Sequence, residues 1–526
     1  MDQTIIIGTR GSELALWQAN YTKNLLEQKG HKVEIKIIAT EGDRSQQWNT
    51  SFDKLAGKGF FTKELEEALL KKEIDLAVHS HKDLPTESPQ GLMIGGVSKR
   101  EDPSDMLLIR NEKVDDSKKW SLKQNAIVGT SSARRKSQLL AFRPDVELKD
   151  LRGNVPTRIK KLRDGEYDAI LLATAGIERL ELDIEDLHSE KLDTSEFVPA
   201  PAQGVLAWQI REEDENLLSI LDEISDFDVL VKINIERTIL NLFDGGCQLP
   251  LGAYCDADPD DEDRLRFKVW TSVASAWDKQ PKQLYFETSN TDGFADEITE
   301  KIKGIKPCKV YVTKTFREDD YLPRALKRLD FDVEGKSLIE FKQFKFKEVP
   351  QADWIFFSSK HSVRYFFSQK PDVTGRKFGC VGTSTSAELR AHGHRADFIG
   401  QSTDTKLVGK QFAAKVGSSK VVFPIAKDSM QNIQWQMPKR DNVINLNVYA
   451  TIKHSIEIDP TVKIVVFTSP ANVEAYFEKN KWQPGQFCVA MGDATAVALN
   501  KKKVKVNVKP TSFDDLGLFR SILSLS

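Results

Sequence analysis

The sequence predicts an α/β protein of several domains. Strand and helix signals alternate along roughly the first three hundred residues, and one pair of motifs recurs 110 residues further on (Phe357 to Phe467, Gly382 to Gly492). At 526 residues the chain also exceeds what one hydrophobic core usually serves.

In order along the chain, Thr4–Thr9 is a short apolar run that reads as a strand. Ser12 is placed to cap the next helix, which carries Leu14, Trp17, Tyr21 and Leu25 on one face. Val33, Ile35 and Ile37 alternate as in a strand, Thr62 opens a helix carrying Leu65, Ala68 and Leu69, and Asp75–His79 is again a strand. Ala126–Thr130 reads as a strand, Ser131–Phe142 as a helix stopped by Pro144, and Ala169–Ala173 as a strand. The pattern predicts largely parallel sheets. Between Phe197 and Gly204, Pro199 and Pro201 mark a crossover or hinge. Residues 219–303 form a smaller unit in which Gly245 and Gly246 make a turn that would present Cys247 on a loop. Gly304 to Pro307 marks a boundary.

Beyond it, Phe357-Ser358-Ser359 leads to Val363 as Phe467-Thr468-Ser469 leads to Val473, and Gly382 to Thr385 matches Gly492 to Thr495. Two similar α/β lobes follow from this, with Ser/Thr-rich turns at strand ends, where open α/β sheets bind ligands.

The net charge of −2 gives no global pull toward nucleic acid or membrane, and no apolar run approaches a membrane span. The N-terminus carries no signal-peptide pattern, and the five cysteines include no CxxC pair. A reducing cytoplasm and a monomer are expected.

Candidate chemistry begins with arginines at strand-to-helix junctions. Arg134 and Arg135 fall in a first helical turn, where cations oppose the helix dipole, so a bound anion is the better explanation for them. Arg10, Arg152, Arg158 and Arg179 recur in similar places, and their planar forks suit carboxylates. Solvated surface arginines are the alternative for any one of them. Asp83 follows a strand and would project into a cleft, staying ionised among cations while it exchanges protons, although turn or cap duty would also place it there. His79 and His81 have no carboxylate or cysteine partners that complete a site, so no metal is expected. Gly57 to Phe61 reads as a mobile glycine loop, with Lys54 and Lys58 adding charge; its spacing is not that of a P-loop. A lone cysteine is more often a small buried hydrophobe, but the glycine turn favours a functional Cys247.

Seven segments together resemble hydroxymethylbilane synthase, the porphobilinogen deaminase family. They are Gly8-Thr-Arg-Gly-Ser-Glu-Leu-Ala-Leu16, Gly57-Lys-Gly-Phe-Phe-Thr-Lys-Glu-Leu65, Val78-His-Ser-His-Lys-Asp-Leu-Pro85, Gly129-Thr-Ser-Ser-Ala-Arg-Arg135, Leu151-Arg-Gly-Asn-Val-Pro-Thr-Arg158, Pro199-Ala-Pro-Ala-Gln-Gly204 and Gly245-Gly-Cys-Gln-Leu-Pro250. The resemblance implies two periplasmic-binding-protein-like lobes (1–96 with 198–218, and 97–197) and a small α+β cysteine-bearing domain (219–304). It implies a dipyrromethane cofactor on a thioether to Cys247, to which four porphobilinogen units are added with loss of ammonia before water releases hydroxymethylbilane. Asp83 would supply the proton and face the azafulvene cation. Ser12, Ser80, Lys82, Asp83, Arg134 and Arg135 would hold the cofactor. Arg10, Gln18, Lys54, Lys58, Phe61, Arg152, Arg158 and Arg179 would hold substrate. His81 stands where the family often has methionine.

From about Lys306 the chain resembles uroporphyrinogen-III synthase. The repeated strand-end motifs, Val448-Tyr449-Ala-Thr451 and Pro510-Thr-Ser-Phe-Asp514 carry that likeness. It implies two flavodoxin-like lobes (307–345 with 450–526, and 346–449) that close hydroxymethylbilane into uroporphyrinogen III, inverting the last ring without a cofactor. Tyr449 would assist loss of the substrate hydroxyl, and Ser359, Thr385, Ser469 and Thr495 would bind carboxylates, with turn and cap duty as their alternative. His361-Ser362 departs from the frequent Asn-Ala. Two other readings stand beside this bifunctional one: a non-catalytic C-terminal partner module, and an anion-binding receptor.

Overall fold

The structure, a computed structural model, describes residues 4–39, 62–244, 249–259, 264–402, 404–427, 429 and 431–526. The chain divides into two compact units. One comprises Met1–Lys309, Arg317–Val333 and Pro510–Ser526; the other comprises Val310–Phe316 and Glu334–Lys509.

The first unit starts with β1 (Ile5–Thr9), β2 (Val33–Ile37), β3 (Leu76–Ser80) and β4 (Leu92–Val97). A second sheet follows from β5 (Asp105–Ile109), β6 (Ile127–Gly129), β7 (Glu147–Lys149), β8 (Ala169–Ala173) and β9 (His188–Lys191), in the order β7-β6-β8-β5-β9. β10 (Leu206–Arg211) then returns to the first sheet and lies between β3 and β4, antiparallel to both. β5 likewise runs antiparallel to β8 and β9. Both sheets are therefore mixed rather than largely parallel: β5 and β10 each arrive from the other lobe and run against strands begun in their own. β10 is buried at every position, and its Trp208 indole donates to the Thr22 hydroxyl at 3.0 Å. A strand buried along its whole length, with Gln209 paired to His79 and Arg211 to Asp75, fits the centre of a sheet covered on both faces.

β11 (Leu251–Pro259), β12 (Leu265–Val273) and β13 (Lys282–Thr288) form an antiparallel sheet packed by the helices Phe227–Leu242 and Phe294–Gly304. Glu236, fully buried on the first of these helices, takes both Arg100 nitrogens at 2.6 and 3.2 Å and the backbone N–H groups of Ala202 and Cys255. One buried carboxylate thereby joins both crossover segments to the small sheet. The helices Tyr321–Lys327 and Asp515–Leu525, within the ranges 307–345 and 450–526 expected to form a C-terminal lobe, also belong to the first unit, where the Tyr321 ring stacks on Phe142 at 4.8 Å.

Two further sheets follow. One has β14 (Lys309–Val312), β15 (Asp332–Gly335), β22 (Ile464–Phe467) and β23 (Phe487–Ala490), in the order β15-β14-β22-β23. The other has β16 (Ile339–Gln343), β17 (Trp354–Phe357), β18 (Lys377–Cys380), β19 (Phe398–Ile399), β20 (Val421–Ala426) and β21 (Val443–Lys453), in the order β16-β21-β20-β17-β18-β19. The sequence repeat is a structural repeat: β17 and β22 begin 110 residues apart (Trp354, Ile464), as do the helices Thr383–Ala391 and Asp493–Lys501. Among the described residues, no helix is long and apolar enough to cross a membrane.

Candidate functional site

Strand ends from both lobes of the first unit converge on a cavity of about 270 Å³. Its walls bring together Arg10, Ser12, Ser80, Lys82 and Asp83 from the first lobe with Arg135, Arg158 and Arg179 from the second. Each position has a local cause. Ser12 caps the helix Glu13–Gln28 by accepting from the Ala15 N–H. β3 ends at Ser80, and a tight turn, His81–Asp83, leaves Asp83 exposed in the cavity. Ser132 caps the helix bearing Arg135, and Asn154 caps the one bearing Arg158.

The electrostatics are one-sided. Five cations (Arg10, Lys82, Arg135, Arg158, Arg179) face two carboxylates, Glu13 and Asp83. Burial, with Arg135 adding to it, pulls the Arg158 guanidinium down to about 10. Burial brings the Lys82 ammonium down to about 8 against the pull of Asp83. Arg179 is lowered chiefly by burial; its Nη2 donates to the Gly204 carbonyl at 2.7 Å, and its buried Nε has no partner. Cations held at that cost fit a ligand that brings its own carboxylates.

Other expected residues stand elsewhere. Arg134 is buried away from the cavity walls, donating to Asp105 at 2.6 Å and to the Val198 carbonyl at 2.9 Å. Arg135 shares Asp105, at 2.7 Å, while reaching the cavity. Burial alone would raise the Asp105 carboxyl, yet the two guanidinium groups hold it well below the usual carboxylate range. Gln18 is buried and donates to the Ser80 hydroxyl at 2.9 Å, and half-buried Arg152 is not among the cavity walls. Lys54, Lys58, Phe61 and Cys247 lie outside the described residues. His79 is buried in β3 against Gln209, and burial lowers it to about 4 and His81 well below its ordinary value, so both imidazoles are neutral near pH 7. Among the described residues no group of His, Cys, Asp and Glu gathers that could hold a metal ion.

Sequence reasoning missed Asp105, Gln203 and Trp17. The Gln203 carbonyl oxygen accepts from Lys82 at 3.2 Å while its amide donates to Asp105 at 3.1 Å, linking the cavity lysine to the buried arginine pair. Trp17 lies under the Arg179 guanidinium at 5.6 Å. Glu101-Asp102-Pro103-Ser104-Asp105, acidic residues directly before an apolar strand, was the available signal for Asp105.

In the second unit Tyr449 is buried on β21, stacked on Tyr365 at 5.3 Å, with its hydroxyl 3.3 Å from that of Ser359; burial raises its phenol. Ser359 and Ser469 cap helices by accepting from Ser362 and Asn472 N–H groups. Thr495 donates to the Met491 carbonyl at 3.1 Å, and Thr385 is buried in its helix.

A family model described as porphobilinogen deaminase, dipyromethane cofactor binding domain, matches residues 5–219, and one described as porphobilinogen deaminase, C-terminal domain, matches residues 230–289. A third, uroporphyrinogen-III synthase HemD, matches residues 320–520. Porphobilinogen deaminase of Oceanobacillus iheyensis is 46% identical over 259 residues, covering 49% of this chain and 82% of that protein. The Brevibacillus brevis enzyme is 43% identical over 258 residues, covering 49% and 81%. A crystal structure of uroporphyrinogen-III synthetase from Helicobacter pylori aligns with a TM-score of 0.33 at 13% identity, covering 42% of this chain and all of that one.

Proposed function

The chain belongs to the porphobilinogen deaminase family and carries a uroporphyrinogen-III synthase domain behind it, a transferase followed by a lyase of tetrapyrrole biosynthesis, and from that premise we propose how its residues divide the work. The family carries a dipyrromethane cofactor covalently on a cysteine, and we assign that cysteine to Cys247. When bound, the cofactor supplies the carbon to which porphobilinogen is joined. The donor set suits such a group, because five cations around one cavity match a chain of carboxylate-bearing pyrroles.

Arg10, Lys82, Arg158 and Arg179 hold those carboxylates, and Arg135 does so while braced by Asp105. Ser12 and Ser80 add hydroxyls at the first lobe's strand ends. Asp83, exposed on the cavity wall, gives a proton to the leaving ammonia of porphobilinogen and takes one back after the new bond forms. Its carboxylate also faces the positive charge that develops in between. The observation that carries this reading is the convergence of Asp83 with cations from both lobes on one cavity. We read the two lobes as periplasmic-binding-protein-like and the second unit as flavodoxin-like, in keeping with strand-end sites. The cysteines, without CxxC pairs, favour a reducing cytoplasm.

In the second unit the Tyr449 phenol is the group that assists loss of hydroxyl from hydroxymethylbilane, oriented by Ser359 and by the Tyr365 ring. The intact mass tests the deaminase part of the scheme. The purified chain carries an excess equal to a dipyrrole, and Cys247→Ser removes both the excess and porphobilinogen consumption. A free, dispensable thiol in a protein that still consumes porphobilinogen refutes it.

A further inference from the structure

The deaminase cleft is held from two sides by the cysteine-bearing domain, and one of those ties comes from the far end of the chain. On the first-lobe side, Arg237 of the helix Phe227–Leu242 donates to the carbonyls of His81, Leu84 and Pro85, beside Asp83. On the second-lobe side, the helices Tyr321–Lys327 and Asp515–Leu525 provide the tie, although the first lies wholly, and the second as far as Arg520, within the segment matched by the synthase family.

The contacts are partly buried and specific. Arg324 donates to the carbonyl of Ala141 at 3.0 Å, satisfying a group at the end of the helix that bears Arg135. The Tyr321 ring lies flat on Phe142 and meets Phe519 edge-on at 5.6 Å, while its hydroxyl accepts from Gln280 at 3.4 Å. Arg520, 6% exposed, donates to the Ser195 carbonyl, two residues before the Phe197–Gly204 crossover. The terminal helix packs along β13, and Lys301 of the helix Phe294–Gly304 donates to the Ser526 carbonyl at 3.3 Å. One pair of helices thus touches the second lobe at the end of the Arg135 helix and at Ser195, and the cysteine-bearing domain at Gln280, β13 and Lys301.

We propose that these two helices are a clasp that fixes the second lobe against the cysteine-bearing domain and thereby controls how far the enzyme-bound pyrrole chain is extended. The inference rests on the deaminase reading. A tethered chain that lengthens by one pyrrole per cycle needs the lobes to move relative to the tether. A clasp between the tether's domain and one lobe restricts that movement, so the relative free energies of successive enzyme-bound intermediates depend on it. Residues outside the deaminase match then act as positioning residues for the deaminase reaction.

The test uses the full chain with Arg520→Ala, Tyr321→Ala and the milder Arg520→Lys, which keeps the charge if the alanine variants fold poorly. Each is loaded with porphobilinogen and the ladder of covalent intermediates is read by intact mass beside thermal unfolding. The expected result is a shift of at least about fivefold in the ratio of two successive intermediates, the lower end of coupling between distinct regions, with the dipyrrole mass retained. An unchanged ladder in the folded variants, even with a lowered unfolding temperature, overturns the proposal and leaves the contact as packing alone. A wild-type chain that forms no ladder at all sinks the deaminase reading instead.

Discussion

The cleft of the first unit and the strand-end turns of the second use their polar residues in opposite ways. In the cleft, Arg158, Lys82 and Arg179 are kept cationic against burial, and the bonds they make to the fold, to the Gly153 carbonyl, the Gln203 side chain and the Gly204 carbonyl, are to neutral oxygens that do not offset a buried charge. In the second unit Ser359, Ser469 and Thr495 spend their hydroxyls on their own backbone. Buried charges that the fold leaves without an opposite charge of their own point to a ligand; hydroxyls that the fold already employs do not distinguish function from architecture.

The sharpest attempt to break that contrast is Asp83→Ala. Turnover of porphobilinogen falls by about 10² to 10⁴, the usual worth of a positioned acid–base group, while the dipyrrole mass and the unfolding temperature are kept. Normal turnover in that variant removes the proton role. Next in size, Arg134→Ala leaves the buried Asp105 carboxylate with Arg135 as its cation beside the Gln203 amide, and costs about 3–5 kcal/mol in denaturant unfolding. Arg158→Ala should leave the unfolding midpoint nearly unchanged and raise KM for porphobilinogen about tenfold, the loss of one charge-assisted hydrogen bond. If the two variants exchange phenotypes, the division between bracing and binding arginines is wrong.

A smaller effect follows from Lys82. With its ammonium at about 8, the side chain is cationic below that pH and neutral above it. Its hold on a carboxylate therefore weakens as pH rises through 8, and KM rises a few-fold (roughly two to five) between pH 7 and 9. Lys82→Arg, which stays charged throughout, should flatten that profile; a profile unaltered by the substitution excludes Lys82 from binding. Smallest of all, Ser469→Ala should cost about 1 kcal/mol of stability as a lost cap without slowing ring closure. A large loss of synthase rate at unchanged stability would make the second unit resemble the first.

The repeat was legible nearly to the residue, because an offset of two motifs constrains every element between them. The cavity arginines were legible as a set for the reason just given. Arg134 shows where that argument runs out: the helix indeed had no use for a cation in its first turn, but the anion it serves is Asp105, 29 residues away on β5. Local sequence reveals an unexplained charge, not whether its partner is a ligand or another part of the chain. The direction of β10 was equally hidden, since a short buried strand pairs as well antiparallel as parallel. So was the place of the helix Asp515–Leu525, whose apolar residues do not say which unit they cover.

The return of β10 between β3 and β4 bears on how this chain is made. During synthesis from the N-terminus, the first sheet must wait with an open middle until position 211 has left the ribosome, whereas the second sheet is encoded without interruption from Asp105 to Lys191. The later-encoded lobe can close first and the earlier one afterwards, around a strand delivered from behind. Because Asp515–Leu525 belongs to the same unit, that unit is completed only after position 525 has also emerged.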